Sequence, residues 1–298
     1  MERYRKILVA VDGSESGRNA FRQACRIVRH DKSWITALTV IPPYQDQFQT
    51  LNVREKVSKA LRHEGDKVLT DIQDIAREED VYVKFSIEEG STADTILDIA
   101  EENYFDLVVT GRRGLRRLER SLIGSVTARI IGHSRCDVLV VPKDTSVKWD
   151  TLLVPTDGSS YSTFSTLKAI GLAKVYGAGI KVISIVDVTE EFQTEAPDAV
   201  EGLVNQAKQY VEAVGRKAEE MGVHADRFVR EGESFKVITD MARKEAADMI
   251  VMGSHGRTGV KRLFMGSVTE KVIGYAPCPV LVVKAFDTEE TLNPRRKP

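Results

Sequence analysis

The element order in the first half of this 298-residue chain starts again in the second, and that duplication constrains the fold more than any single motif. Asp12 and Asp157 lie 145 residues apart, as do Ile35 and Ile180. Gly90 to Gly232, Gly111 to Gly253 and Cys136 to Cys278 each differ by 142. One net deletion of three residues between the second and third strand regions reconciles the two offsets. A repeat of this length is domain-sized, since domains run about 100–200 residues. The expected division is 1–145 and 146–298, with the charged, unpatterned segment 143–150 (KDTSVKWD) as a linker.

Each copy alternates strands and helices. Residues 6–11 (KILVAV) form a short branched apolar run, a buried strand, and Ser14 is placed to cap the helix that follows. Ala20, Ala24, Ile27 and Val28 give that helix one apolar face. A second buried strand (35–41), a long helix through Val57, Leu61, Val68, Ile72 and Ile75, and an alternating strand (81–87) come next. Gly90-Ser91 opens a third helix, with Asp94 spaced for a capping box. Residues 106–110 make strand four. The second copy repeats this with strands at 151–156, 180–186 and 224–229, and a long helix seamed by Val200, Val204, Ala207, Val211, Val214, Ala218 and Met221. The fold class implied is α/β: two tandem doubly wound domains, each with a five-stranded parallel sheet and right-handed crossovers. Ligands of such sheets bind beyond the carboxyl ends of the strands.

Two stretches carry the chemistry. Residues 249–283 (MIVMGSHGRTGVKRLFMGSVTEKVIGYAPCPVLVV) place Gly253, Gly256, Gly266 and Ser267 between a strand and a helix start. Residues 107–141 place Gly111, Gly114, Gly124 and Ser125 at the same spacing. Gly111 and Gly114 can take positive φ and let the backbone come close to a ligand. Gly124-Ser125 offers free amides and a hydroxyl at a helix start, where the dipole favours an anion, and Thr127 adds another hydroxyl donor. Arg112, Arg113, Arg116, Arg117 and Arg120 in the first loop, and His255, Arg257, Lys261 and Arg262 in the second, suit a polyphosphate. Asp12 and Asp157 would hold ribose hydroxyls or a divalent ion from the same rims, provided strands one and four are neighbours.

Composition excludes several classes. The formal net charge is −1, which gives no global case for nucleic acid or a membrane surface, and the first-loop arginines lack interleaved aromatics. No apolar run reaches the roughly 18 residues of a membrane span. Cys25, Cys136 and Cys278 cannot form a full disulfide set and suit buried thiols in a reducing cytoplasm. His30, His63, His133, His224 and His255 show no metal-ligand spacing. No G-x-x-x-x-G-K-[ST] is present, and Gly177-Ala-Gly179 precedes a strand, so it is a turn rather than a dinucleotide fingerprint.

The Gly-x2-Gly-x9-Gly-Ser loop, closed by C-x-V-L-V-V and preceded by V-x-x-D-G-S after strand one, resembles the universal stress protein family, twice over nearly the whole chain. The resemblance implies a tandem member of the ATP-binding subclass, with Mg2+ or Mn2+ accompanying the nucleotide. Phosphate contacts would fall on Gly114, Gly124, Ser125 and Thr127, and on Gly256, Gly266, Ser267 and Thr269. Adenosine contacts would fall on Ala10, Asp12, Val40 and Gly111, and on Pro155, Asp157, Ile185 and Gly253. Ile185 stands where valine is usual, and the first loop lacks the common Ser-His, so the second copy lies nearer the pattern. A family tendency also implies packing through 138–141 and 280–283, an intramolecular pseudo-dimer that leaves pairing of two chains open.

The leading expectation is a cytoplasmic nucleotide-binding module whose occupancy signals stress or energy state. One rival is a slow ATPase or adenylating enzyme. The chain has D-G-S-E-S-G where pyrophosphatase-loop enzymes carry S-G-G-x-D-S, and H-I-G-H and K-M-S-K-S are absent, which argues against fast turnover. The other rival is a nucleotide-free structural or interaction protein.

Overall fold

The structure, a computed structural model, describes residues 3–43, 51–115, 122–257 and 265–284. In the first half, strands β1 (Lys6–Ala10), β2 (Trp34–Ile41), β3 (Val83–Glu89), β4 (Leu107–Gly111) and β5 (Asp137–Val141) alternate with helices α1 (Glu15–Asp31), α2 (Leu51–Glu78), α3 (Thr92–Glu102) and α4 (Ser125–His133). The second half holds β6 (Thr151–Pro155), α5 (Ser160–Tyr176), β7 (Gly179–Val186), α6 (Glu190–Glu195), α7 (Pro197–Glu220), β8 (Ala225–Glu231), α8 (Ser234–Lys244), β9 (Met249–Gly253), α9 (Ser267–Tyr275) and β10 (Val280–Val283). The long helix expected around Val200 is thus preceded by a short one. Ala196 separates them outside helical geometry, and Pro197 starts α7 where a missing N–H costs nothing.

Every strand pair within a half is parallel, as the buried apolar runs imply. The two sheets do not stay separate. Val138, Leu139 and Val140 of β5 pair antiparallel with Val282, Leu281 and Val280 of β10. The result is one ten-stranded sheet in the order β3-β2-β1-β4-β5-β10-β9-β6-β7-β8. Because the join is antiparallel, the carboxyl-end rims of the two halves face opposite ways.

Alternate residues feed two cores. Ile7, Val9, Leu139, Leu281 and Val283 pack with Phe21 of α1, Ile72 of α2, Ile170 of α5 and Val211 of α7 on one face. Leu8, Val138, Val140, Val280 and Val282 pack with Ile96 of α3, Ile130 of α4, Ile238 of α8 and Val272 of α9 on the other. The period-two alternation of each strand therefore sorts its residues between two layers that both run across the join.

The segment between the halves is anchored rather than free. Asn19 donates to the carbonyls of Pro142 and Thr145, and the Val147 N–H donates to Gln23 Oε1 at 2.9 Å. Trp149 stacks on Tyr176 with centroids 4.2 Å apart, and the Tyr176 hydroxyl donates to Asp31, whose carboxylate is fully buried. Polar composition marked this segment as a linker, and the long-range partners that order it leave no local signature.

The expected Ser14 cap forms, its hydroxyl accepting from Gly17 N–H at 3.0 Å. Ser91 does not cap α3 through its side chain. Asp94 instead pairs with Arg129 of α4 at 2.7 Å. Gly177 ends α5 in the left-handed region, which makes the Gly177-Ala-Gly179 segment a helix stop.

All three cysteines are free and buried. Burial pushes the Cys25 and Cys278 thiols up to about 12. The folded state then keeps protons that the unfolded chain releases above the ordinary thiol range. Their contribution to stability is complete below about pH 8.5 and is lost as pH rises toward 12. A disulfide-exchange reagent at pH 8 is expected to label them only at the rate of unfolding. Rapid labelling of native protein would contradict this packing.

Candidate functional site

The loops after β1 and β4 meet at one rim, since β1 pairs with β4, and β6 likewise pairs with β9. Asp157 lies just beyond β6. Its Oδ1 accepts from Ser159 N–H at 3.0 Å and its Oδ2 from Arg257 N–H at 2.9 Å, which clamps the glycine loop to the first-strand loop. Burial would raise this carboxyl, but the hydrogen bonds from Ser159, Arg257 and Ser162 outweigh it and hold Asp157 below the usual range. Asp12 makes the matching bonds, accepting from Ser14 N–H and Leu115 N–H at 3.0 Å each. Asp157 is thus ionised, and both carboxylates are already engaged by their loops, with lone pairs left for a ligand.

The glycines divide by physical reason. None of Gly111, Gly114, Gly253 and Gly256 has positive φ, so that part of the expectation is corrected. What they supply is room for the protein's own neighbouring segments. A Cβ on Gly114 would lie 2.4 Å from Asp12 Oδ2, and one on Gly256 would lie 2.7 Å from Asp157 Oδ2. At Gly111 the Cβ would meet the backbone of Ser16 and Gly17, and at Gly253 the backbone of Tyr161. Gly253→Val is expected to cost about 2–3 kcal/mol, because helix backbone cannot yield as a side-chain tip does. Urea unfolding measures this, and an unchanged midpoint would show that α5 can move away.

Gly124 and Gly266 are different. Both have ordinary extended geometry, φ −63° and −65°, and an added Cβ would find no atom nearer than 3.6 Å and 3.4 Å respectively. The fold does not demand glycine there. Gly266 precedes α9 without a side-chain cap, and the first intrahelical donor is Glu270 N–H to Gly266 O at 3.0 Å. The amides of Ser267, Val268 and Thr269 therefore have no acceptor within the helix. The Ser125–Thr127 turn of α4 repeats this arrangement, with Ala128 N–H donating to Gly124 O. The threonine hydroxyls are not spare donors. Thr127 Oγ1 donates to Gly111 O at 2.9 Å and Thr269 Oγ1 to Gly253 O at 3.1 Å, so both tie the helix start to the strand end.

In the second half these features surround a cavity of about 430 Å³. Pro155, Asp157, Ile185, Gly253, Gly256, Gly266, Ser267 and Thr269 all line it. Sequence reasoning missed the wall from α7, Leu203 and Gln206, and the pair Asp187 and Ser234, where Asp187 Oδ2 accepts from both the amide and the hydroxyl of Ser234. It placed Ala207 in a helix seam but not at the cavity. Arg257 also lines the cavity: its Nε donates to Asp157 O at 2.5 Å and its guanidinium lies 4.8 Å from the Tyr210 ring centroid. His255 lines the cavity, its Nδ1 3.1 Å from Ser254 Oγ and its ring 5.2 Å from that of Tyr161.

In the first half Ala10, Asp12, Val40, Gly111, Gly114, Gly124, Ser125 and Thr127 fall on the corresponding strand ends, loop and helix start. Of the first-loop arginines, Arg112 and Arg113 lie among the described residues. Arg112 turns away to the other half, its Nη1 donating to Ala276 O at 3.1 Å and Ile273 O at 3.4 Å. Arg113 Nε donates to Leu122 O at 3.2 Å. Arg116, Arg117, Arg120, Lys261 and Arg262 lie outside the described residues.

A sequence model of the universal stress protein family matches residues 3–142 and again residues 148–284. The chain belongs to the universal stress protein family. A universal stress protein of Mycolicibacterium smegmatis is 27% identical over 299 residues, covering 93% of this chain and 96% of that one. One from Methanocaldococcus jannaschii is 39% identical over 137 residues, covering 45% of this chain and 81% of the relative. Among solved structures, a universal stress protein from Archaeoglobus fulgidus superposes with a TM-score of 0.72 at 19% identity, covering 96% of this chain and 98% of that one, a likeness of fold. No helix among the described residues of this universal stress protein is long and apolar enough to cross a membrane.

Proposed function

We propose that this universal stress protein binds ATP or a related adenine nucleotide in its second half, as a stress- or energy-responsive binding module with at most slow hydrolysis. The observation that carries the reading is the cavity of the second half, which brings together an apolar wall, an ionised acid and a helix start with free amides. Ile185, Leu203 and Ile238 offer a surface for a flat base. Asp157 keeps acceptor capacity for ribose hydroxyls, and the Ser267–Thr269 amides face where phosphate would lie. A divalent cation fits only as a companion of the phosphates, because no group of three His, Cys, Asp or Glu among the described residues could hold one. The same reading extends to the first half, with domains at 1–145 and 146–298 and a cytoplasmic location.

Calorimetry with Mg-ATP, together with mass spectrometry of nucleotide released from the purified protein, tests this. Saturable heat and a released adenine nucleotide are expected. No heat and no released nucleotide would sink the reading in favour of an interaction protein. Radiolabelled turnover lost in Asp157→Ala but clear in the unsubstituted protein would move it to an ATPase.

A further inference from the structure

We propose that Arg112, which belongs to the first half, is a positioning residue for the anion site of the second half. The proposal rests on the reading of the second half's cavity as a nucleotide site. Arg112 is fixed at its backbone within the first glycine loop. Its N–H lies 2.9 Å from Ser16 Oγ and 3.1 Å from Val141 O, and its carbonyl accepts from Gly124 N–H at 3.0 Å. From there the guanidinium reaches the carbonyls of Ile273 and Ala276, at the tail of α9. Leu122, also of the first half, packs against the same tail, where a Cβ on Gly274 would lie 2.7 Å from Leu122 Cβ.

α9 has nine residues, so its tail lies only about 13 Å from the amides that face the cavity. A helix this short moves as one piece. Contacts that fix its tail therefore fix its first turn, and a cation among its last carbonyls complements the dipole that favours an anion at the other end. Within the second half only one further side-chain donor reaches this tail among the described residues, Arg243 Nη2 to Tyr275 O at 3.1 Å.

The antiparallel join explains why a foreign residue does this. It sets the carboxyl-end rim of the first half beside the tails of the second half's helices. The exchange is reciprocal, because Lys284, which follows β10, donates from Nζ to Ile131 O in the tail of α4 at 2.5 Å. The position of Arg112 in the second copy is occupied by Ser254, which is too short for the same reach. The two halves thus hold each other's anion helices with different cations.

The test is titration of the full chain with Mg-ATP, followed through the amide resonances of Ser267 and Thr269, in the unsubstituted protein, Arg112→Met and Arg112→Lys. Arg112→Met is expected to weaken binding at these amides roughly three- to tenfold. Arg112→Lys, which keeps a donor and a charge, should recover part of the loss, and the urea midpoints of all three should stay close. Equal affinity in Arg112→Met would overturn the proposal, as would a loss matched by general unfolding. If ATP moves no amide of α9 in the unsubstituted protein, the nucleotide reading fails by itself. Positioning is then judged without ligand, by exchange of the Glu270 amide that donates to Gly266 O. Exchange several-fold faster in Arg112→Met upholds it, and unchanged exchange overturns it.

Discussion

Gly266→Val is expected to weaken nucleotide binding in the second half strongly while leaving the fold intact. The two effects separate because the backbone there is ordinary, φ −65° and ψ 142°, and a Cβ would rest 3.4 Å from His255 Cα and Ser254 O. Valine tolerates extended geometry, so the cost to stability is about 1 kcal/mol, that of a poorer residue at a helix cap. The added methyls are expected to crowd the approach to the Ser267–Thr269 amides, since a Cβ at Gly266 already lies 3.7 Å from Thr269 Oγ1. Losing even one charge-assisted hydrogen bond to phosphate is worth about 1.5–3 kcal/mol, so affinity should fall by roughly ten- to a hundredfold. Calorimetry beside urea unfolding reads both quantities. Retained affinity would mean that the phosphates lie elsewhere, and a collapsed midpoint would mean that glycine is needed by the fold. Gly253→Val is the useful contrast, since there the clash is with backbone and stability falls first.

The second large effect lies at the junction of the halves. Asp137 is 6% exposed, and three groups converge on its carboxylate. Tyr4 donates its hydroxyl at 2.7 Å, the Lys284 amide donates at 2.9 Å, and Lys168 Nζ of α5 pairs at 3.2 Å while lying 4.1 Å from the Tyr4 ring centroid. Burial, and then the charge of Asp137, push the Tyr4 hydroxyl well above its ordinary value, so it remains a donor at any physiological pH. Burial also pushes the Lys284 ammonium down to about 8. Asp137→Ala removes the acceptor and leaves a buried hydroxyl and a lysine without their partner, which should cost about 3–5 kcal/mol. Because Lys168 and Lys284 belong to one half and Tyr4 and Asp137 to the other, the loss falls on the contact between them. Urea unfolding followed by fluorescence of Trp34 and Trp149 should change from one transition to two. A single transition at an unchanged midpoint would show that the apolar β5–β10 pairing alone suffices.

Much of this architecture was legible in the sequence because it is written in local periodicity. Short branched runs bounded by glycine gave the strands, and the repeated spacing gave two rims of the same design. What escaped was set by partners distant in the chain. Arg112 looked like a phosphate ligand because its neighbours are arginines, yet its partners are carbonyls more than 160 positions away. Thr127 and Thr269 looked like spare hydroxyls, and no local pattern shows that the carbonyls of Gly111 and Gly253 take their protons. Spacing alone could not separate the glycines crowded by backbone or a carboxylate from Gly124 and Gly266, where an added Cβ would make only ordinary contacts.

The ladder between β5 and β10 has a consequence for how this protein responds to its own abundance. Two separate chains paired through such strands would obey mass action and come apart as they became scarce. Here both strands belong to one polypeptide, so each meets its partner at an effective concentration fixed by the connecting chain and not by the number of molecules in solution. The cross-half contacts at α4 and α9 are therefore complete in a single molecule, from the first copy made to the last one remaining.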